Sequence, residues 1–239
     1  MTTLISDFSF VQSHNSQRGS GLFIILVAVV LFAALTYAIS NSSDGSKNLS
    51  QEKVRLYASE ILDTGNRYAE TIARMKLQGI AEDEISFLYN GNYSNAACLT
   101  DACKVFAFDG GGLEWDTPPI GSNNGEEWFF TGDVAIQDIG TSAADLLAIL
   151  PVVNEDVCHR INVLIDIEGE SDTTALFGSA IAANAFVGSY DLTPDLINHA
   201  SVNGKRSGCI SISSLTSDIT ASSPIAGQPK IYYQVLLAR

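Results

Sequence analysis

Residues 22–39 read LFIILVAVVLFAALTYAI, eighteen residues without a charge. As a helix this run measures about 27 Å, close to the hydrocarbon thickness of a bilayer. An ordinary core helix keeps a polar side toward water, and this run has none over five turns. It therefore reads as a membrane-spanning helix, with a buried core helix and a cleaved secretory signal as the competing readings. A signal peptide usually has a shorter apolar region close behind a basic start, followed by a small-residue cleavage site. Here twenty-one mostly polar residues precede the run with Arg18 as their only Lys or Arg, although Ala38 to Ser40 mimic a cleavage site.

The rest of the chain is organised by charge. The 239 residues are 46% hydrophobic and 17% charged and carry a net charge of −14. Such acidity argues against a nucleic-acid binder or a polybasic membrane-surface protein, both of which depend on clustered Lys and Arg. The net charge is −1 in residues 1–44, +2 in residues 45–78 and −15 in residues 79–239. The acidity belongs to the C-terminal body.

Asn41 to Ser50, NSSDGSKNLS, reads as a polar break. Beyond it Val54, Tyr57 or Ala58, Ile61, Gly65, Tyr68, Ile72 and Met75 recur every three or four residues, which places them on one helical face. Ser50 with Glu52 and Lys53 supplies a start, and Gly79 after Lys76 supplies a stop. Past Gly79, KVFAFDGGG, EWFFTGDVAI, INVLIDIEG, CISISSL and KIYYQVLLA read as strands, whereas ADLLAILPVV and TTALFGSAIAANAF read as short helices.

A polar leader, then Arg18-Gly19, then an unbroken apolar helix resembles the class III leader of type IV prepilins and pseudopilins. The resemblance implies cleavage by a prepilin peptidase after Gly19, leaving Ser20 as the new N-terminus, with cleavage after Gly21 as second choice. It implies that residues 1–19 are a leader and that residues 20–40 form a transmembrane and filament-core helix, with Leu22, Phe23, Ile24, Ile25, Leu26, Val29 and Phe32 in the core. Residues 41–78 would be linker and stem, and residues 79–239 a globular head. One departure matters: the family usually has a glutamate at the fifth mature position, where this chain has Ile24, or Leu26 for the alternative cut. A buried carboxylate there is costly unless paired, and minor pseudopilins resemble this chain in lacking it. A looser resemblance to bacterial pilin-like proteins with large heads rests on GGGLEW, WFFTGDVAIQDIGT, VCHRIN and IYYQVLLAR.

The expected fold is thus α+β: a long N-terminal helix, half membrane-spanning and half amphipathic, packed on a mainly antiparallel sheet. All four cysteines follow the apolar run, and an oxidising compartment on that side permits disulfides. Three pairings exist, and the favoured one joins Cys98 to Cys103 in a tight CLTDAC loop and Cys158 to Cys209 across two strands. A zinc site is the rival, but this cysteine spacing is not a common ligand pattern.

No catalytic motif is present. His14 lies in the leader, and neither His159 nor His199 belongs to a spaced metal motif. No GxSxG, phosphate-binding or dinucleotide-binding pattern occurs. No cofactor is expected. Related pseudopilins bind calcium in a head loop, which draws attention to Asp166, Glu168, Glu170 and Asp172, and to Asn123, Asn124, Glu126 and Glu127. Neither set matches a spaced calcium loop, and a solvated acidic edge that discourages strand pairing is the plainer reading. Three Asn-x-Ser sequons, at Asn41, Asn48 and Asn92, carry little weight in the bacterial host that the leader implies.

The resulting expectation is a bacterial pilin-like structural subunit and not an enzyme. It would assemble with its own copies through the N-terminal helices, served by prepilin peptidase and a pilus or secretion machinery. It would sit in the inner membrane first and in a periplasmic or extracellular filament afterwards, with no nucleic-acid partner. The alternative is a signal-anchored periplasmic binding module that does not polymerise.

Overall fold

A computed structural model describes residues 20–41, 43–167, 181–218, 225 and 229–239. Two compact units are present, Met1–Ser50 and Gln51–Arg239. Helix α1 (Ser20–Asn41) belongs to the first unit. Helix α2 (Ser43–Leu77) begins in the first unit and continues in the second.

The expected membrane-spanning helix is not found: among the described residues, no helix is long and apolar enough to cross a membrane. Within the expected polar break, residues 43–50 are helical, so α2 starts seven residues before the expected Ser50.

From Gln51 on, α2 is the amphipathic element that its periodicity announces. Ala58, Ile61, Tyr68, Ile72 and Met75 are buried, while Glu60, Asp63, Arg67, Glu70 and Arg74 face water. Its C-terminal turn closes on Gly79 at φ +94°, where the Gly79 N–H donates to the Lys76 carbonyl and the Ile80 N–H to the Met75 carbonyl. A residue without a Cβ tolerates that left-handed conformation at little cost.

The head is built on a five-stranded sheet in the order β4-β1-β2-β7-β5. Its strands are β1 (Phe129–Ile136), β2 (Asp145–Leu150), β4 (Asp195–Ile197), β5 (Ser207–Ser211) and β7 (Lys230–Leu237). The expectation of a mainly antiparallel sheet needs correction: β4 joins β1 in parallel, making the sheet mixed. A second, two-stranded sheet is also parallel, formed by β3 (Ile181–Ala183) and β6 (Leu215–Ser217). Helix α3 (Glu155–Leu164) lies against β5 and β7.

Both faces of the large sheet are covered, so alternate side chains of each central strand enter different cores. Leu146, Ala148 and Leu150 of β2 join Tyr232 of β7, Phe130 of β1 and the buried faces of α2 and α3. Leu147 and Ile149 join Tyr233, Val235 and Phe129, together with Ile181, Leu215 and Ile225. Tyr68 of α2 meets Trp128 and Phe130 edge-on at ring separations of 5.5 and 5.2 Å, and Phe87 stacks on Phe130 at 4.0 Å.

This double coverage explains the misread segments. ADLLAILPVV is not a helix but the central strand β2, buried at all six positions, and a short run that is apolar throughout carries no period to distinguish the two. INVLIDIEG is not a strand in its first half, which completes α3 after Asn154, Glu155 and Asp156. KVFAFDGGG forms only a bridge from Lys104 to Ser86 before folding back on itself. CISISSL divides between β5 and β6, and the described part of TTALFGSAIAANAF contains strand β3 instead of a helix.

The chain is stapled by Cys98–Cys103 and Cys158–Cys209, the pairs favoured from the sequence, although Cys158 lies on a helix and not on a strand. Loop-closure entropy gives about 2 kcal/mol for the short loop and about 4 kcal/mol for the long one. Replacing Cys158 and Cys209 together by Ser should lower stability roughly twice as much as replacing Cys98 and Cys103, as measured by urea denaturation. Gly65 supports a second prediction. A Cβ there would sit 2.6 Å from the Tyr232 hydroxyl and 3.3 Å from the Gln234 side chain. Gly65→Ala should therefore destabilise the head by about 1–3 kcal/mol, even though alanine favours a helix by about 1 kcal/mol. A rise in melting temperature would show that α2 can move away from β7 at low cost.

Candidate functional site

The N-terminal helix is the feature most in need of a partner. Its described side chains, 23–34 and Thr36, are all exposed. They include Phe23, Ile24, Ile25, Leu26, Val27, Val29, Val30, Leu31 and Phe32, each at least 41% accessible. Thr36, the single polar residue among them, returns its hydroxyl hydrogen to the Phe32 carbonyl. Apolar side chains therefore surround the helix instead of forming one stripe. Such a helix gains little from lying on a single neighbour and requires an apolar environment on every side.

Arg18 and Gly19 of the expected cleavage site lie outside the described residues, whereas Ser20 is the first residue of α1. Leu22 lies within α1, and Phe23, Ile24, Ile25, Leu26, Val29 and Phe32 are exposed along it.

The head contains little that resembles reaction chemistry. Among the described residues, no three His, Cys, Asp or Glu side chains are grouped to hold a metal ion. Asn123 spends its amide on the carbonyls of Glu126 and Pro151, while its side-chain oxygen accepts the Gly125 N–H. The Asn124 side-chain oxygen accepts the Glu126 N–H. Two of the side-chain oxygens considered for calcium, those of Asn123 and Asn124, thus each accept a backbone N–H within a turn. Glu168, Glu170 and Asp172 lie outside the described residues, as does His14. Asp166 follows α3 at φ +56°.

A depression of about 380 Å³ beside that turn is lined by Pro118, Pro119, Ile120, Asn123, Asn124 and Glu127, among others, with Glu127 as its one ionisable group. His159 stands next to Cys158, whose sulfur is committed to a disulfide and cannot serve as a nucleophile. His199 places Nδ1 2.7 Å from the Ser201 hydroxyl within a tight turn.

The loop at residues 111–116 is fastened to α2 by charge. Arg67 reaches Asp116 at 2.6 Å and Asp63 at 3.3 Å, and Arg74 donates to the Gly111 carbonyl. Among the described residues, Asp145 is the least accessible carboxylate. Its Oδ2 accepts the Ile136 N–H at 3.1 Å and its Oδ1 accepts the Arg239 N–H at 3.0 Å. Burial pushes its carboxyl above the usual range, against the opposing pull of those hydrogen bonds and of Arg206 and Arg239. Burial likewise raises Asp133, opposed by its bonds from Asn184 and reinforced by Asp191 and Asp218. Both groups act as supports of the fold.

Sequence reasoning missed Asp145 because one acid at the start of an apolar run resembles a helix cap. It also missed Asn162, whose side chain bonds both backbone groups of Cys209. The chain matches no protein-family model, no curated protein and no solved structure.

The raised Asp145 has a definite consequence for pH. Folding favours its protonated form, so its stabilising contribution is complete below the ordinary carboxylate range and is lost as pH rises through its folded value. The amide of an Asp145→Asn variant does not titrate, so the stability gap between the parent and this variant should narrow from pH 4 to pH 7. Urea denaturation at the two pH values measures that gap, and widening would contradict the assignment.

Proposed function

We propose that the chain is a structural subunit of a type IV pilus-like or pseudopilus filament, assembled by packing the α1 helices of many copies side by side. The observation that carries this reading is an apolar surface exposed all around α1 over residues 23–34. One partner helix covers one flank of such a cylinder, whereas a helical array of copies covers the whole circumference. Covering nine large side chains at about 1.5–3 kcal/mol each is of the size needed to offset an association cost of roughly 4–15 kcal/mol.

Three further features support the reading. A polar leader ending in Arg18-Gly19 precedes α1, consistent with removal of residues 1–19 and a mature start at Ser20. Two disulfides suit an exported head. The net charge of −15 in residues 79–239 favours heads that face water and repel non-specific neighbours.

Two measurements test the proposal. Mass spectrometry of the chain purified from its host should find Ser20 at the N-terminus, and an intact Met1 or a start near Asn41 would refute processing at the leader. Val29→Asp would place a charge within the packed helices at a cost of several kcal/mol. Electron microscopy should then show loss of filaments while the head keeps both disulfides. Filaments at the parental level would sink the assembly role of α1.

A further inference from the structure

Asparagine followed by glycine occurs three times in the chain, at Asn90-Gly91, Asn124-Gly125 and Asn203-Gly204. Such pairs are labile for a steric reason. Glycine has no Cβ to hinder its backbone nitrogen, which can approach the asparagine side-chain carbonyl carbon and close a five-membered ring. Closure needs an unengaged glycine N–H and a side chain free to turn, so hydrogen bonds at either place suppress it. The three pairs differ at both places.

At Asn124 the side-chain oxygen accepts the Glu126 N–H at 3.2 Å, and the Gly125 N–H donates to the Asn123 side-chain oxygen at 3.0 Å. The Asn203 side-chain oxygen accepts the His199 N–H at 2.8 Å and its amide donates to the Asn198 side-chain oxygen at 3.0 Å, while the Gly204 N–H donates to the Gln137 carbonyl at 2.8 Å. In these two pairs the attacking nitrogen and the target side chain are both held. Asn90 and Gly91 are the central residues of the turn closed by Tyr89 and Asn92, at φ +47° and +84°. Positive φ at both residues suits a type I′ turn, for which Asn-Gly is a favoured pair. Both are exposed, and among the described residues no hydrogen bond engages the Asn90 side chain or the Gly91 N–H. Reciprocal bonds of 2.9 and 3.3 Å between Tyr89 and Asn92 close the turn, so only a small local opening is needed to free its torsions.

We propose that Asn90 is a site of spontaneous deamidation in the folded protein, and that the fold protects Asn124 and Asn203 from the same reaction. The Gly91 nitrogen gives its proton to hydroxide and bonds to the Asn90 Cγ, the Cγ–Nδ2 bond breaks, and ammonia leaves. Water then adds to either carbonyl of the resulting succinimide and opens the ring, leaving aspartate or β-linked isoaspartate at position 90. The net change is water consumed and ammonia released in equal amounts, with nothing oxidised or reduced. Either product adds a negative charge to a segment already at −15. The β-linked product also inserts a methylene into the backbone of the turn beside Tyr89, whose ring stacks on Trp115 at 4.2 Å. The inference stands on the head alone and does not depend on assembly through α1.

The test incubates the full-length oxidised chain in mild alkali, once native in detergent and once in urea, and follows each Asn-Gly pair by peptide mass spectrometry. Each native rate is divided by the rate of the same pair in urea, which removes intrinsic differences between the three sequences. That ratio should be on the order of tenfold larger at Asn90 than at Asn124 or Asn203, a gap of about 1.4 kcal/mol in opening free energy. Asn90→Gln lengthens the side chain past the favoured ring, so it should abolish the conversion at position 90 and leave the other two rates unchanged. A ratio at Asn124 or Asn203 equal to that at Asn90 would overturn the proposal. So would an Asn90 that converts in urea and not in the native chain.

Discussion

The head depends on one constraint: a sheet whose two central strands are buried on both faces must be covered twice. β2 is inaccessible at all six positions, and six of the eight positions of β7 are buried with the other two half-buried. Everything around them serves that coverage. Helix α2 lays its stripe on one face and approaches closely enough at Gly65 to touch Tyr232. On the other face the small parallel sheet and Ile225 close a second core. Surrounding polar groups are positioned by the same requirement, since Asp145 and Asn162 satisfy backbone groups at places where the ladder is irregular or ends.

The stem was legible because exposure on one side and burial on the other impose a period of 3.6 residues, and Ala58, Ile61, Tyr68, Ile72 and Met75 keep it. The start of α2 was not legible, because Ser42, Ser43, Asp44 and Gly45 carry the composition of a loop. β1 and β7 were found from their aromatic and β-branched residues, but β2 was not, since burial on both faces removes alternation. α3 carried a readable signal in Asn154, Glu155 and Asp156, which the following apolar residues outweighed. For the candidate site, the apolar run was plain from residues 22–39. The bonds of Asn162 to Cys209 were invisible because one Asn says nothing about which backbone it meets 47 residues away.

Charge and apolarity are divided between the two units. The helix that exposes Phe23 to Phe32 has no charge in its first or last turn, and the segment from residue 79 onward holds twenty-one acids against six bases. The apolar surface and the excess of acid thus lie on different parts of one chain.

The order of strands also governs when the head can form. β2 is flanked by β1, its neighbour in sequence, and by β7, the last of the described strands. β1, β2 and β4 can pair earlier, but neither core can close before residues 230–237 are present. Long-range pairing of this kind folds slowly. The long disulfide obeys the same order, since it joins residues 51 apart in sequence and can form only once both have been synthesised.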